Sequence, residues 1–75
     1  MKITSEELLD RCVWTLQGQQ RTATITHRFG LGWTVEDHRG VIAAASDERS
    51  GETDAEAWER MLSTARRIAA QVSSR

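Results

Sequence analysis

The fold is decided by residues 53–72, TDAEAWERMLSTARRIAAQV. The apolar residues of this stretch recur at intervals of three and four, the spacing that places side chains on one face of an α-helix. They are Trp58, Met61, Leu62, Ala65, Ile68, Ala69 and Val72. Thr53 followed by Glu56 predicts a capping box at the start of the helix, and Arg66 and Arg67 suit the negative end of its dipole. The sequence therefore predicts one long amphipathic helix near the C-terminus.

The residues before this helix alternate with a period of two, which is the pattern of half-buried β-strands. β-Branched residues dominate 22–29, and the glycines of 30–32 interrupt the pattern. Alternation resumes over 33–38, a tight turn is predicted over 37–40, and 41–45 makes a short apolar strand. We therefore expect a three-stranded antiparallel meander.

The N-terminal residues carry a second helix-start pattern. Thr4 and Glu7 have the spacing of a capping box, and Ile3 and Leu8 are placed to form a hydrophobic staple across it. An apolar stripe follows, which consists of Leu8, Leu9, Cys12, Val13 and Leu16. The pattern predicts a first helix over residues 5–16.

A competing interpretation divides this first segment. The helix would end near Arg11, and residues 13–17 would form a strand that turns at Gly18-Gln19. The apolar stripe persists through Leu16, and for that reason the helix is preferred.

The expected fold is a single α+β domain over residues 1–75 with two layers and the order α-β-β-β-α. The long C-terminal helix spans roughly 29 Å, enough to cross three strands. Its stripe should pack on one face of the meander, so that the two together form the core. The expected core members are Trp58, Leu62, Ala65, Ile68 and Val72 against Ile25, Phe29, Trp33, Val35 and Ile42.

The composition restricts the class of protein. The net charge is −1, whereas general nucleic-acid-binding domains carry a clear basic excess. No apolar run approaches the roughly 20 residues that span a bilayer, and the acidic residues 6–7 stand where a signal peptide needs an apolar stretch. A single cysteine, Cys12, excludes an internal disulfide and fits a reducing compartment. We expect a cytoplasmic protein that makes no contact with membranes.

The residues that could carry chemistry are Cys12, His27 and His38, with Asp37 to orient a histidine. A nucleophile of this kind needs a pocket and an oxyanion site, and Cys12 lies on an apolar stripe where a buried thiol is the ordinary expectation. A structural zinc site needs four ligands, usually paired at short spacing, and these residues are not paired. The glycines of 30–32 lack the third glycine and the following helix of a phosphate loop. We expect no enzyme activity, no cofactor and no metal.

Three surface features could bind a partner. The outward face of the meander, rich in threonine, is either a solvated face or a binding surface, which would be a polar platform or a sheet edge that accepts another strand. Trp14 falls off the predicted first stripe, so it either contacts a partner or packs beneath the turn at Gly18. The acidic stretch 47–59 is either a solvated segment or a surface for a basic partner. The candidate partner-binding residues are Trp14, Asp37, His38, Arg39, Asp47, Glu48, Glu52 and Asp54.

The unit WTVEDHRGVIA, residues 33–43, followed by the helix that begins at Thr53, resembles the strand–turn–strand–helix unit of YegP-like domains of unknown function. The resemblance covers residues 33–66 and implies no activity. The predicted order α-β-β-β-α is also similar to that of double-stranded-RNA-binding domains. Their last helix begins with lysines, where this chain has Asp54, Glu56 and Glu59. In size, acidity and build the chain is similar in type to small phage-encoded inhibitors, including anti-CRISPR proteins.

These observations favour a non-enzymatic interaction protein that blocks or bridges a protein partner, in the manner of a phage- or mobile-element-borne inhibitor of a host complex. The alternative is a nucleic-acid-binding domain that uses surface arginines, namely Arg21, Arg28, Arg39, Arg66 and Arg67. Homodimerisation through a free sheet edge or through Trp14 stays open.

Overall fold

The computed structural model describes residues 1–48 and 51–73, and in this part of the chain a five-stranded antiparallel sheet is followed by one helix. Each strand pairs with the next along the chain, so the sheet order is β1-β2-β3-β4-β5. The elements are β1 (Lys2–Glu7), β2 (Arg11–Gln17), β3 (Thr22–Arg28), β4 (Gly32–Glu36), β5 (Ile42–Ser46) and α1 (Asp54–Ala70). The α+β class is confirmed. The predicted connection over 47–52 includes residues 49 and 50, which lie outside the described residues.

The predicted first helix over residues 5–16 is wrong, because these residues form the hairpin β1–β2. Glu7 lies opposite Cys12, and the main-chain N–H of Leu8 donates to the carbonyl of Arg11 at 2.7 Å to close the turn. The strand is preferred because pairing with β3 buries Leu16 completely beneath α1. Tertiary pairing therefore outweighs the local capping pattern. The competing interpretation is correct about a strand over 13–17 that turns at Gly18-Gln19, which corresponds to β2, but its helix ending near Arg11 is wrong, because Lys2–Glu7 is a strand.

The three predicted strands are confirmed as β3, β4 and β5, so the meander is correct but two strands too short. A bulge between Val35 and Glu36 shifts the register of β5.

The predicted capping box is also present. The amide of Glu56 donates to the Thr53 hydroxyl at 3.1 Å, and the Thr53 amide donates to the Glu56 carboxylate at 3.0 Å. Hydrogen bonding to the Glu56 carboxylate, by the Thr53 backbone amide first and then by the Thr53 side chain, lowers the pKa of Glu56.

α1 packs on β2 to β5 and covers one face of the sheet. The centre of this layer is fully buried and contains Leu16, Ile25, Val35 and Met61, with Ala23, Ala65 and Ala69 around them. Small residues lie on the helix face where its backbone approaches the strands. The buried stripe is therefore centred on Ala57, Met61, Ala65 and Ile68, while Trp58 and Leu62 are only partly buried.

Three residues predicted in the core are exposed instead: Phe29 by 47%, Ile42 by 59% and Val72 by 50%. Phe29 follows the last residue of β3 and lies in a turn. Ile42 pairs with Glu36 after the bulge, which turns its side chain to the face away from the helix. Val72 lies beyond the end of α1. The strand ends and the bulge, which periodicity does not reveal, therefore account for all three errors.

The carboxyl end of α1 is held against the turn between β2 and β3. Arg21 Nη1 donates to the side-chain oxygen of Gln71 at 3.4 Å, and the amide of Ser73 donates to the side-chain oxygen of Gln20 at 2.8 Å. A Cβ atom on Gly18 would lie 1.8 Å from the carbonyl oxygen of Ala69, so the two backbones nearly touch. This contact fixes the position of the helix on the sheet.

The described residues include no helix with the length and apolarity that crossing a membrane demands.

The sheet face turned away from α1 is called the open face here. It carries the outward residues of each strand, among them Thr15, Thr24, Thr26 and Thr34. Register pairs Thr15 with Thr24 and Thr26 with Thr34, so the threonines form a band across β2, β3 and β4. No described helix lies on this face, and it remains available to solvent or to a partner.

Candidate functional site

Trp14, one of the predicted partner-binding residues, packs between the sheet and the helix. Its ring centroid lies 5.9 Å from that of Trp33, in a stacked arrangement, and 4.8 Å from that of Trp58. Aromatic contacts of this kind contribute about 0.5–1.5 kcal/mol each beyond the burial of area. The sequence left open whether Trp14 contacts a partner or packs beneath the turn at Gly18; in the structure it packs against Trp33 and Trp58.

His27 extends the aromatic cluster to the end of the sheet where β3 meets β4. Its ring stacks on Trp33 at 4.0 Å and meets the edge of Phe29 at 5.6 Å. The Nε2 nitrogen of His27 is hydrogen-bonded to the Glu48 carboxylate in the connection before α1. This pair links the sheet to the start of the helix segment.

In the described part of the chain, one group of three side chains brings possible metal-binding atoms together. The donor atoms of His27, Glu48 and Asp54 all lie within 4.8 Å of one another. An imidazole with two carboxylates is a donor set that transition metals accept. However, His27 and Glu48 already satisfy each other, and Asp54 lies in the first turn of α1, where the helix dipole stabilises a carboxylate. The cluster is therefore explained without an ion.

Cys12 lies directly opposite His27 across β2 and β3. The register thus brings together two of the residues considered for nucleophilic chemistry. Among the described residues, no hydrogen bond joins the thiol to the imidazole, whose Nε2 is engaged by Glu48. His38 lies in the turn between β4 and β5, at the opposite end of the sheet, where its Nε2 is 3.4 Å from Arg21 Nη1. The arrangement does not assemble a nucleophile with its base.

Asp37 organises the turn between β4 and β5. Its carboxylate accepts main-chain hydrogen bonds from Arg39 at 2.8 Å and from Val41 at 3.0 Å, and the Arg39 guanidinium donates to it at 2.9 Å. The Arg39 side chain first, and then these main-chain donors, lower the pKa of Asp37 to about 2. The predicted partner-binding residues of this turn therefore have a structural role of their own.

The acidic residues from 47 to 54 do not form one continuous patch. The Glu52 carboxylate accepts from Arg60 at 2.7 Å and from the Ser46 hydroxyl at 2.6 Å, and these bonds, that of Arg60 first, lower its pKa to about 2. Glu48 bonds to His27, whereas Asp47 lines a depression on the open face. The charges are distributed over two faces, and several stabilise the link between β5 and α1.

The surface that the sequence did not indicate is an apolar end of the sheet. The β1–β2 turn and the β3–β4 turn lie side by side there, and the amide of Phe29 donates to the carbonyl of Asp10 at 3.1 Å. Both turns expose large apolar side chains, which are Leu8, Leu9, Phe29 and Leu31. We call these four residues the apolar end. The sequence pattern assigns Leu8 and Leu9 to the predicted first helix, Phe29 to the predicted core and Leu31 to the glycine turn, so no sequence signal groups the four residues together.

A depression of about 560 Å³ on the open face adjoins the apolar end. Arg28, Leu31, Thr34 and Ile42 are among the residues that line it. Arg28 makes no ion pair with a described residue. The guanidinium of Arg11 beside it forms an ion pair with the Asp10 carboxylate at 3.0 Å. Hydrogen bonding to Arg11 lowers the pKa of Asp10. The depression thus offers two guanidinium groups, two carboxylates (Glu36 and Asp47), hydroxyl groups and two exposed apolar side chains next to one another.

No family model matches this chain, and neither the curated proteins nor the solved structures include a match. The resemblance of residues 33–66 to YegP-like domains is neither confirmed nor refuted and stays an expectation. The function of this chain is therefore inferred from its geometry alone.

Proposed function

We propose that this protein is a non-enzymatic interaction protein that binds a protein partner through the apolar end and the adjoining depression on the open face. The observation that carries the proposal is the exposure of four large apolar side chains together at one end of a small sheet. Large exposed apolar groups that lie together mark interaction surfaces in soluble proteins. Leu9 is fully exposed, at 102%, and Leu31 at 71%, so their side chains make few contacts within the chain.

The energetics favour a partner at this surface. Fully burying one leucine or phenylalanine side chain stabilises a complex by about 1.5–3 kcal/mol. Arg28 beside Leu31 adds a side chain of the type that is enriched at the energetic centre of protein interfaces. Apolar anchors beside the guanidinium groups of Arg11 and Arg28 have the composition of a protein-binding surface.

The alternative, binding of a nucleic acid through surface arginines, has less support. Among the described residues, the open face carries threonines but no aromatic ring on which a base could stack. Arg11 is neutralised by Asp10, and Arg39 by Asp37. A protein partner therefore agrees better with the distribution of charge, and binding that weakens steeply with added salt would favour the alternative.

The specific form that the sequence favours is an inhibitor of a host protein complex carried by a phage or a mobile element. A compact chain of 75 residues with an apolar anchor at one end could block a groove on a larger protein. The inhibitor proposal is supported by the small size of the chain and by its similarity in type to small phage-encoded inhibitors. It predicts that the captured partner loses an activity when the complex forms.

The test is affinity capture from the native cell with two matched variants. The Leu9→Ser and Leu31→Ser double variant should lose the captured protein, because both anchors are removed while no buried residue changes. The control is Val41→Ser in the turn at the other end of the sheet, where Val41 is also exposed, at 54%. Val41→Ser should retain the partner.

Equal capture by both variants would refute the apolar end as the binding surface. The acidic residues Glu48 and Asp54, predicted from the sequence, would then be the next surface to test by charge reversal. Because Glu48 contacts His27, the melting temperature of that variant must be measured beside its binding.

A further inference from the structure

β1 is exposed along its whole length of six residues. It is the first strand of the sheet and has a neighbour on one side only, and α1 packs on β2 to β5. A free edge presents unpaired main-chain N–H and C=O groups that can accept another strand. We propose that β1 pairs with β1 of a second copy of this chain, antiparallel, in a dimer whose two-fold axis passes between the two Thr4 residues.

The main-chain groups of β1 are directed as this pairing requires. The bond from the Leu8 amide to the Arg11 carbonyl makes these two residues a hydrogen-bonded pair of the hairpin. Because such pairs alternate along an antiparallel ladder, Thr4 and its even-numbered neighbours bond to β2, and Ile3 and Ser5 direct their N–H and C=O groups to the free edge. With the axis at Thr4, Ile3 of one copy lies opposite Ser5 of the other. Each such pair exchanges both main-chain bonds.

The charges on β1 favour the register with its axis at Thr4 over the registers with an axis at Ile3 or Ser5. Lys2 and Glu6 lie on the open face of β1, and neither makes an ion pair or a side-chain hydrogen bond with a described residue. With the axis at Thr4, Lys2 of each copy lies opposite Glu6 of the other. An axis at Ile3 would place Lys2 opposite Thr4 instead, and an axis at Ser5 would place Glu6 opposite Thr4 and Lys2 opposite Leu8.

The side chains at the centre of the pairing are compatible with it. The two Thr4 residues form a non-hydrogen-bonded pair, in which threonines opposite each other are favourable. Ile3, which is 47% exposed, comes within diagonal reach of Ile3 of the second copy on the helix side. Since α1 packs on β2 to β5, the space beside β1 is open to the second sheet.

The dimer would hold two apolar ends that point in opposite directions, because the paired β1 strands are antiparallel. A protein that binds one partner at each end would then bridge two partner molecules. This consequence is separate from the proposed function, since a monomer could also bind one partner through its apolar end.

The dimer is tested by the mass in solution. Sedimentation or light scattering between about 10 µM and about 1 mM should show a mass that rises towards twice the 8.4 kDa of the chain. Lys2→Glu alone and Glu6→Lys alone should each weaken the dimer by about tenfold or more at low salt, because like charges then face each other. Mixing these two variants should restore dimers, since every pair across the axis is again of opposite sign.

Two further variants separate pairing from folding. Ser5→Pro removes an amide that points away from β2, so the hairpin keeps its internal bonds while the edge is blocked. This variant should be monomeric with an unchanged circular dichroism spectrum. Glu59→Lys on the exposed side of α1 makes the same change in net charge as Glu6→Lys and should leave the dimer intact.

Three results would overturn the proposal. They are a monomeric mass across the whole concentration range, a dimer that survives Ser5→Pro, and a mixture of the two charge variants that stays monomeric.

Discussion

Replacing Gly18 by alanine should destabilise the protein, because no side chain fits between the β2–β3 turn and the end of α1. The new Cβ atom would lie 1.8 Å from the carbonyl oxygen of Ala69 and 2.8 Å from its carbonyl carbon. To reach a separation of about 3.0 Å, the helix and the turn must move apart by about 1.2 Å. The obstacle is backbone, which cannot rotate away as a side chain would.

The expected cost is that of overpacking a tight interface, about 1–3 kcal/mol. For a domain of this size each kcal/mol lowers the melting temperature by about 4–8 °C. The control is Gly40→Ala, where φ is +83° and nothing lies within 4 Å, so only the left-handed backbone is strained. That strain costs about 1 kcal/mol.

Thermal unfolding followed by circular dichroism measures both variants of this pair. A Gly18→Ala variant that melts within about 1 °C of the unchanged chain would show that α1 does not end against this turn. A loss clearly larger than that of Gly40→Ala would support the close approach.

Three more predictions concern the core, the helix cap and the response to acid. Met61→Ala should destabilise by about 2–5 kcal/mol in chemical denaturation, and Leu62→Ala by clearly less because Leu62 is only partly buried; equal losses would contradict the orientation of α1. Thr53→Ala should cost about 0.5–2 kcal/mol through loss of the capping box, and a neutral result would show that the cap is not formed. The pKa values of Asp37 and Glu52 fall to about 2 in the folded state, so these groups bind fewer protons there than in the unfolded chain. The stability of the protein should therefore decrease as the pH falls from about 4.5 towards 2. In thermal melts recorded across that range, Asp37→Asn should make this decrease smaller.

The sequence predicted the C-terminal helix and three strands because their signals agree at every level. The capping box at Thr53 and the apolar stripe indicate the same element, and its partner surface alternates with a period of two. The helix begins where the cap predicts, at Asp54, and ends at Ala70 rather than at residue 72. Where local and tertiary preferences coincide, a single sequence is enough to predict the element correctly.

The N-terminal hairpin was missed because local and tertiary preferences disagree there. Residues 4–7 have the pattern of a helix cap, yet β2 is needed to bury Leu16 beside Ile25. With strands in place of a helix, Leu8 and Leu9 move from a supposed stripe into an exposed turn. The apolar end could not be predicted, because it depends on two turns that only the sheet topology brings together.

The predicted partner-binding residues illustrate a second limit. In a sequence, acidic and aromatic residues are candidates for binding a partner, but the sequence does not show which contacts they make within the chain. In the structure Trp14 stacks on Trp33, and Glu52 is held by Arg60. The pairing of distant side chains determines which of them remain free for a partner.

The central claim, that the apolar end contacts a protein partner, is tested most directly by hydrogen–deuterium exchange of the chain alone and in its captured complex. The account predicts slower exchange on binding in the two adjacent turns, residues 8–10 and 29–31, with little change in the turn at residues 37–41. Protection confined to residues 37–41 or to the outer surface of α1 would contradict it.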